Sequence, residues 1–281
     1  MQGSKLILPS FFIFLLLIES FFPLRKVIIP RWTRIFRNVS LAFVGFLIIK
    51  LIFLPQLVSF STFVSSNNIG VLNFFEISFW PKFIISLVLM DFTLYFWHMA
   101  NHKIPFFWRF HLVHHTDLEM DASTATRFHF GELVLSVFFR AMQVLVFGID
   151  PLMLLIFETS ITFCALFHHS NIKLPISFER ILSKIVVTPR MHAIHHSQVL
   201  EETDSNFSTI FSFWDRFLRT LSLNVPQDKI TIGVPAYNKV HELTFLNVLV
   251  MPVFKLRPWS LPGGKIPKRE NLETPKEFLC G

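Results

Sequence analysis

Long apolar runs most restrict how this chain can fold. Residues 6–22, 41–63 and 79–97 are almost uninterrupted apolar sequence, and a helix needs about 20 such residues to cross a bilayer. Only 16% of the 281 residues are charged and 52% are hydrophobic, whereas soluble proteins average roughly 25% charged residues. The sequence therefore predicts an integral membrane protein with several transmembrane helices.

The basic residues lie beside the apolar runs and predict the topology. Five of them follow the first run: Arg25, Lys26, Arg31, Arg34 and Arg37. Residues 65–73 carry no Lys or Arg. On the positive-inside rule the first loop is cytoplasmic, and residues 79–97 return the chain to that side. Membrane topology accounts for the net charge of +7 better than nucleic-acid binding, so we expect no nucleic-acid partner.

Two further apolar runs, 133–149 and 152–167, are joined by a very short turn. Each is close to the lower limit of about 17 residues for a bilayer crossing. Arg140 and Glu158 interrupt them, which favours partial insertion or packing against other helices. The turn predicts a helical hairpin that enters the membrane and returns to the cytoplasmic side.

Histidines are concentrated in one part of the chain. Eleven of the 12 lie between positions 98 and 196, and many fall into three histidine boxes: HMANH (98–102), HLVHH (111–115) and HAIHH (192–196). Residues four apart share one face of a helix, whereas adjacent residues diverge by about 100°. Each HxxHH box can therefore serve two metal ions from one helical turn.

A lone histidine in an apolar helix is more often a packed residue than a ligand, but three boxes together favour a metal site. His129 is an additional candidate ligand, and His168 and His169 follow the hairpin. Without cysteine ligands the site could hold zinc, iron, copper or nickel. The number of histidines exceeds what one ion can use, so we expect two. His241 precedes Glu242 but lacks the HExxH pattern of a zinc protease.

Two classes of function fit a histidine-rich site beside membrane helices. A dinuclear site at the membrane surface suits iron and dioxygen chemistry on a lipid, because an apolar substrate can enter from the bilayer. The alternative is a membrane metal-binding or transport protein without redox turnover. Transport ligands would be expected at mid-membrane depth, whereas these histidines lie at the ends of the apolar runs and in the loops that follow.

The three boxes and the sequence motifs around them resemble those of the fatty acid hydroxylase/sterol desaturase superfamily of membrane di-iron enzymes. The resemblance extends from about residue 31 to 220 and includes RFHFGE (127–132), FHHSNIKLP (167–175) and DSNFSTIFSFWDRFLRT (204–220). Phe130 stands where the family usually has proline. Leu218-Arg219-Thr220 replaces the family's FGT motif, a change that affects the local turn and not the histidine boxes.

The resemblance implies two iron ions, O2 as co-substrate, and hydroxylation or desaturation of an unactivated C–H bond in a sterol, fatty acyl or related lipid. It implies iron ligation by the histidines of the boxes and favours His169 over His168. The implied ligands are His98, His102, His111, His114, His115, His169, His192, His195 and His196. Neighbouring polar groups that could orient the histidine rings are Asp91, Asp117, Glu132, Asn171 and Asp204.

These observations predict an all-α fold: a polytopic membrane helical bundle with a cytoplasmic helical cap that carries the dimetal site. Residues 1–90 would form the N-terminal transmembrane helices, 91–221 the histidine-box region, and 222–281 a cytoplasmic or interfacial tail. An external reductase or small redox protein must supply electrons, because no GxGxxG or haem motif is present. A bacterial inner membrane or an endoplasmic reticulum would place the boxes on the cytoplasmic side, and the short connections between elements slightly favour a bacterial origin. A family member without activity is a third possibility, but the complete boxes argue against it.

Overall fold

The computed structural model describes residues 4–223 and 225–269. This part of the chain is helical, with three isolated β-bridges and no extended strand, which confirms the predicted all-α class. The α-helices are α1 Ser4–Phe21, α2 Arg31–Ile48, α3 Leu54–Ser66, α4 Phe79–Lys103, α5 Pro105–His115, α6 Phe130–Phe147, α7 Pro151–His169, α8 Ile176–Leu182, α9 Pro189–His195, α10 Leu200–Thr203, α11 Phe213–Phe217 and α12 Phe245–Val250. The end of the predicted tail, 270–281, lies outside the described residues.

Four helical segments are long and apolar enough to cross a membrane: Arg31–Asn73, Phe79–Lys103, Phe130–Phe147 and Pro151–His169. They confirm that the chain is an integral membrane protein. The first predicted span corresponds to a shorter apolar helix, Leu6–Phe21.

The second predicted span is the middle part of a longer helix than expected. A π-helical turn, Ile49–Phe53, joins α2 directly to α3. Pro55 lacks an N–H donor and its ring crowds the preceding turn, and the wider π turn just before it accommodates that residue. At about 1.5 Å per residue, the combined helix is longer than the roughly 30 Å of a hydrocarbon core. The first turns of α2 therefore leave the membrane and enter the cap, where Arg34, Arg37 and Asn38 are buried.

The predicted hairpin of α6 and α7 is present, and its turn follows from its sequence. Gly148 ends α6 in the left-handed conformation, with φ 76°. Asp150 caps α7 by accepting hydrogen bonds from the backbone N–H groups of Leu152 (2.9 Å) and Met153 (3.0 Å). Pro151 occupies the first helical position, which needs no N–H donor. His129 and His169 consequently lie at the same end of the hairpin.

Residues 207–212 form an irregular segment before the short helix α11. Two carboxylates accept hydrogen bonds from its backbone. Asp215 accepts from the N–H groups of Phe207 (2.7 Å) and Ser208 (3.0 Å). Asp91 accepts from the N–H groups of Ile210 (3.2 Å) and Phe211 (3.1 Å). Carboxylates that capture backbone donors compete with helix formation, so no helix forms ahead of α11 in this segment.

The two departures from the family pattern are both accommodated by the backbone. Phe130 is the first residue of α6, where proline is favoured but not required. Arg219 adopts the left-handed conformation, with φ 61°, and the turn still closes through a 2.8 Å hydrogen bond from the Thr220 N–H to the Asp215 carbonyl.

We expect Arg219→Gly to stabilise the protein by about 0.5–1 kcal/mol. A non-glycine residue in the left-handed conformation costs roughly 1–2 kcal/mol, which glycine avoids. Part of this gain is lost because glycine gives up more backbone entropy on folding. The Arg219 side chain is exposed and forms no hydrogen bond or ion pair within the described residues. Thermal unfolding in detergent would measure the gain. The matched control is Arg216→Gly, in the right-handed helix α11, which should lose about 1 kcal/mol. A loss of stability in both variants would contradict the strain at Arg219.

Candidate metal centre

The first two histidine boxes are brought together by the corner between α4 and α5. Ile104 is extended, with φ −99° and ψ 116°, as a residue before proline prefers. Pro105 then starts α5, which folds back along α4. HMANH ends α4 and HLVHH ends α5, so their histidine rings face each other.

The third box and His169 complete the cluster from the opposite side. Thr188 and Pro189 start the short helix α9, which carries HAIHH. His169 is the last residue of α7, and α7 packs against α9.

Nine of the ten predicted ligands form two adjoining groups, in each of which the potential ligand atoms all lie within 4.8 Å of one another. The first group contains His98, His102, His111, His115 and His195, and the second contains His114, His169, His192 and His196. The adjacent pairs His114–His115 and His195–His196 are each divided between the two groups. Each HxxHH box therefore contributes to both groups, as the divergence of neighbouring residues on a helix predicts.

Ring nitrogens converge within each group. In the second group His169 Nε2 lies 3.0 Å from His114 Nε2 and 2.9 Å from His192 Nε2. In the first group His115 Nε2 lies 3.2 Å from His111 Nε2. Neighbouring ligands on one ion, each about 2.1 Å from it, would be separated by about 3.0 Å at right angles. The spacing of the nitrogens thus fits a shared cation in each group.

Hydrogen bonds on the far side of several rings direct Nε2 inward. Nδ1 of His98, His195 and His169 lies 2.8, 2.7 and 2.8 Å from the carbonyl oxygens of Phe207, Ser205 and Ala165, respectively. A carbonyl accepts only from a protonated Nδ1, which leaves the Nε2 lone pair free for a metal. The sequence-based reasoning missed these carbonyls, because no side-chain pattern marks them.

Five histidines of the two groups that lie outside the membrane-spanning helices have lowered pKa values. Burial, reinforced by neighbouring histidines, holds the pKa of His114, His115 and His196 well below its usual range. The same causes lower the pKa of His192 and His195. Metal ligation requires the unprotonated imidazole, so the protonation state suits two metal positions.

This geometry is accompanied by sequence similarity over the same region. Residues 83–220 match the model of the fatty acid hydroxylase family. They belong to that family. The resemblance carried by the histidine boxes is thereby confirmed, and every histidine of the two groups lies inside the fatty acid hydroxylase region.

Several characterised lipid hydroxylases are similar to the chain. Ornithine lipid hydroxylase OlsE of Rhizobium tropici is 30% identical over 165 residues, covering 56% of this chain and 48% of the relative. Cholesterol 25-hydroxylase of Mus musculus is 30% identical over 158 residues, covering 55% of this chain and 52% of the relative. Alkylglycerol monooxygenase of Caenorhabditis elegans is 25% identical over 151 residues, covering 54% of this chain and 29% of the relative. The chain thus spans about half the length of the first two relatives. No solved structure matches it significantly.

His129 and His168 lie outside both groups. His129 caps α6: its Nδ1 accepts a 2.9 Å hydrogen bond from the Gly131 N–H, and its Nε2 lies 2.9 Å from the Leu249 carbonyl. Both ring nitrogens are therefore occupied by backbone groups, so the structure does not support the prediction of His129 as a ligand. The His168 ring lies 4.1 Å from the His192 ring but does not point a nitrogen into either group.

Glu132 contacts a histidine of the fatty acid hydroxylase region, with Oε1 2.8 Å from His111 Nδ1. Three of the other polar candidates serve other contacts. Asp91 binds the backbone of 210–211 and, at 2.8 Å, the indole N–H of Trp214. Asp117 binds Arg34, Asn38 and Thr124. Asn171 holds the loop after α1 through the N–H (3.0 Å) and carbonyl (2.9 Å) of Arg25.

The fifth candidate, Asp204, lies near a histidine but does not orient it. Its Oδ1 is 3.8 Å from His102 Nδ1, too far for a hydrogen bond, and its Oδ2 pairs with Lys103 at 2.6 Å. Among the five candidates, Glu132 is the one placed to fix the tautomer of a ring.

We expect Glu132→Ala to lower metal affinity or activity about 10–100-fold, the usual cost of removing a hydrogen-bonded partner of a ligand. Glu132→Gln should lose less, because its amide oxygen can still accept from His111. Metal titration of the purified variants would measure both. The matched control is Asp204→Ala, which should retain wild-type affinity. Equal losses in the alanine and glutamine variants would argue against a tautomer-fixing role.

A cavity of about 210 Å³ joins the histidines to the interior of the bundle. Its walls come mainly from the membrane-spanning helices α4, α6 and α7, which contribute His98 and His169, and His111 of α5 also lines it. Apolar side chains line it as well, among them Leu94, Leu133 and Ile161. The cavity therefore adjoins histidines of both groups.

Proposed function

We propose that the protein is a membrane-bound di-iron oxygenase that hydroxylates or desaturates an unactivated C–H bond of a lipid, using O2 and electrons from an external donor. The single observation that carries this proposal is the pair of buried histidine groups at the end of a cavity between membrane-spanning helices. Relatives named for the hydroxylation of ornithine lipid and cholesterol support a lipid substrate.

The proposed ligands are the nine histidines of the two groups, and His129 is omitted from this set. All-nitrogen sites of this kind accept several first-row metals, and the resemblance of the histidine boxes to those of membrane di-iron enzymes implies iron. When bound, the two iron ions would supply the activation of O2. Glu132 and the carbonyl oxygens of Phe207 and Ser205 hold the rings in the ligating tautomer.

The protein's own side chains perform the remaining tasks around the substrate. Leu94, Leu133, Phe139 and Ile161 enclose the chain of the lipid and exclude water, which protects a reactive centre from side reactions. Trp97 donates a 3.2 Å hydrogen bond to Ser136 across this wall and fixes α4 against α6. A separate reductase or small redox protein would supply the electrons.

The basic residues that follow α1 support a cytoplasmic position for the histidine groups. The membrane would then be a bacterial inner membrane or an endoplasmic reticulum. We retain the proposed division into N-terminal membrane helices (1–90), the histidine-box region (91–221) and a C-terminal tail (222–281).

Oxygen consumption by the purified, iron-loaded protein tests the proposed function. With a chemical reductant and a total lipid extract, we expect O2 uptake coupled to a hydroxylated or desaturated product. Comparative lipidomics of cells with and without the gene would identify the substrate. A protein that binds two metal ions but never consumes O2 with any lipid would instead be a metal-binding or transport protein.

A further inference from the structure

A pair of opposite charges lies in the middle of the hairpin. Arg140 of α6 and Glu158 of α7 form an ion pair, with Nε 2.5 Å from Oε1. The Arg140 guanidinium also lies over the Phe157 ring, 4.7 Å from its centroid. Ionisable residues within membrane-spanning helices are costly and usually mark substrate or ion sites, so this pair is a candidate for substrate contact in addition to joining α6 to α7.

The pair lies at the end of the cavity away from the histidines, where Arg140 is buried and 47% of the Glu158 side chain is exposed on the surface of the hairpin. Both residues line the same 210 Å³ space as His98 and His111. Arg140 follows Glu132 by eight residues, which places it about 12 Å further along α6. Beyond the pair, Met90, Val144 and Phe157 belong to a packed apolar core. The cavity therefore has a metal centre at one end, a charged pair at the other and apolar walls between them.

The pair offers one donor and one acceptor to a ligand. Arg140 uses Nε for Glu158 and Nη1 for the Gln143 side chain. Gln143 is itself held by the Met90 carbonyl at 2.9 Å. Arg140 Nη2 and Glu158 Oε2 have no hydrogen-bond partner among the described residues. An N–H and a carboxylate oxygen, side by side and without net charge, match an uncharged group that both accepts and donates a hydrogen bond.

We propose that Arg140 and Glu158 bind a hydroxyl group of the lipid substrate. The hydroxyl group would accept a hydrogen bond from Arg140 and donate one to Glu158. A lipid bound in this way would have a carbon atom about 12 Å from its hydroxyl group beside the histidines. A carboxylate or an ammonium fits less well, because it would add an uncompensated charge to a neutral pair in a medium of low dielectric constant. This inference rests on the proposed function for the identity of the ligand as substrate.

Binding of three lipid probes of equal chain length to the full-length protein in detergent tests the proposal. The probes are radiolabelled dodecanol, dodecyl methyl ether and dodecanoate, each measured against protein-free micelles. The ether can accept but not donate, and the carboxylate is charged. We expect wild type to bind dodecanol about tenfold to a hundredfold more tightly than the ether, the range for hydrogen bonds to charged groups. Equal binding of alcohol and ether, or a preference for dodecanoate, would overturn the proposal.

Two variants locate the preference at the pair. Arg140→Met should weaken the binding of dodecanol and of the ether alike, because both probes accept a hydrogen bond from Arg140. Glu158→Gln should reduce the preference for the alcohol severalfold, because a neutral amide oxygen replaces the charged acceptor. It also leaves the charge of Arg140 uncompensated, so dodecanoate should bind more tightly than to wild type. The matched control is Lys50→Met, which removes a membrane-segment cation that lies over Phe46 and does not line the cavity. A preference for the alcohol that is unchanged in Glu158→Gln would contradict the assignment, and this variant alone decides it if Arg140→Met does not fold.

The binding measurement requires neither iron nor O2, so the two proposals can fail separately. A protein that prefers dodecanol but never turns over any lipid would refute the oxygenase proposal and retain the hydroxyl subsite. Turnover without any preference for the alcohol would refute the subsite and retain the oxygenase.

Discussion

Alanine at His195 or at His114 is expected to abolish turnover and to lower the bound iron, one variant for each histidine group. His195 belongs to the first group and His114 to the second. Each substitution removes a proposed ligand, whereas loss of a hydrogen-bonded partner of a ligand already costs about 10–100-fold. The activity loss should therefore exceed that range in both variants. Elemental analysis of the purified proteins and an O2-dependent product assay would measure the two effects.

Two other histidines provide matched controls for these variants. His241 is exposed and lies outside both groups, so His241→Ala should keep full iron content and activity. His129→Ala should also keep its iron, although loss of the cap on α6 should cost about 0.5–2 kcal/mol of stability. Normal iron content in both His195→Ala and His114→Ala would refute the ligand assignment. Loss of iron in His129→Ala at unchanged stability would restore His129 as a ligand.

The composition of the two groups was only partly predictable from the sequence. Local spacing places His98 with His102, His111 with His115 and His192 with His196, since each pair is four residues apart. The position of His195 in the first group depends instead on tertiary packing, which brings its ring 4.6 Å from that of His98. No periodic pattern encodes a contact between residues so far apart in the chain.

The supporting groups were less predictable than the ligands. Glu132 is one of five polar candidates that sequence alone could not rank, and the structure places it 2.8 Å from His111 Nδ1. The acceptors for His98 and His195 are backbone carbonyls, which every residue possesses and which therefore leave no sequence signal. Arg140 and Glu158 were recognised as interruptions of apolar runs, but their place at one end of the cavity follows from how α6 and α7 converge around it.

The long extension of α2 into the cap also has a consequence for stability, centred on Asp117. This carboxylate is fully buried and accepts 2.9 Å hydrogen bonds from Arg34 Nε, Asn38 Nδ2 and Thr124 Oγ1. It thereby ties the residue just past the second histidine box to α2. Burial raises the pKa of Asp117, but Arg34, Arg127 and Arg37 together outweigh that effect and hold it below its usual range.

We expect Asp117→Ala to destabilise the protein by about 3–5 kcal/mol, because it leaves buried arginines with an incomplete counter-charge. The melting temperature in detergent should fall by about 5–15 °C. Since the folded-state pKa is lowered, the stabilisation is present at neutral pH and disappears only below about pH 4. The wild-type and variant melting temperatures should therefore converge in acid.

Asp228→Ala is the matched control for this substitution. Asp228 has a side chain that is 75% exposed and lies 4.0 Å from Lys229, so its removal should change stability by no more than about 0.5 kcal/mol. Arg34 also contacts Asp121 at 3.0 Å and Glu119 at 3.2 Å. An Asp117→Ala protein that melts like wild type would mean that these two acids neutralise Arg34 without Asp117, and that α2 does not depend on this carboxylate to hold the histidine boxes.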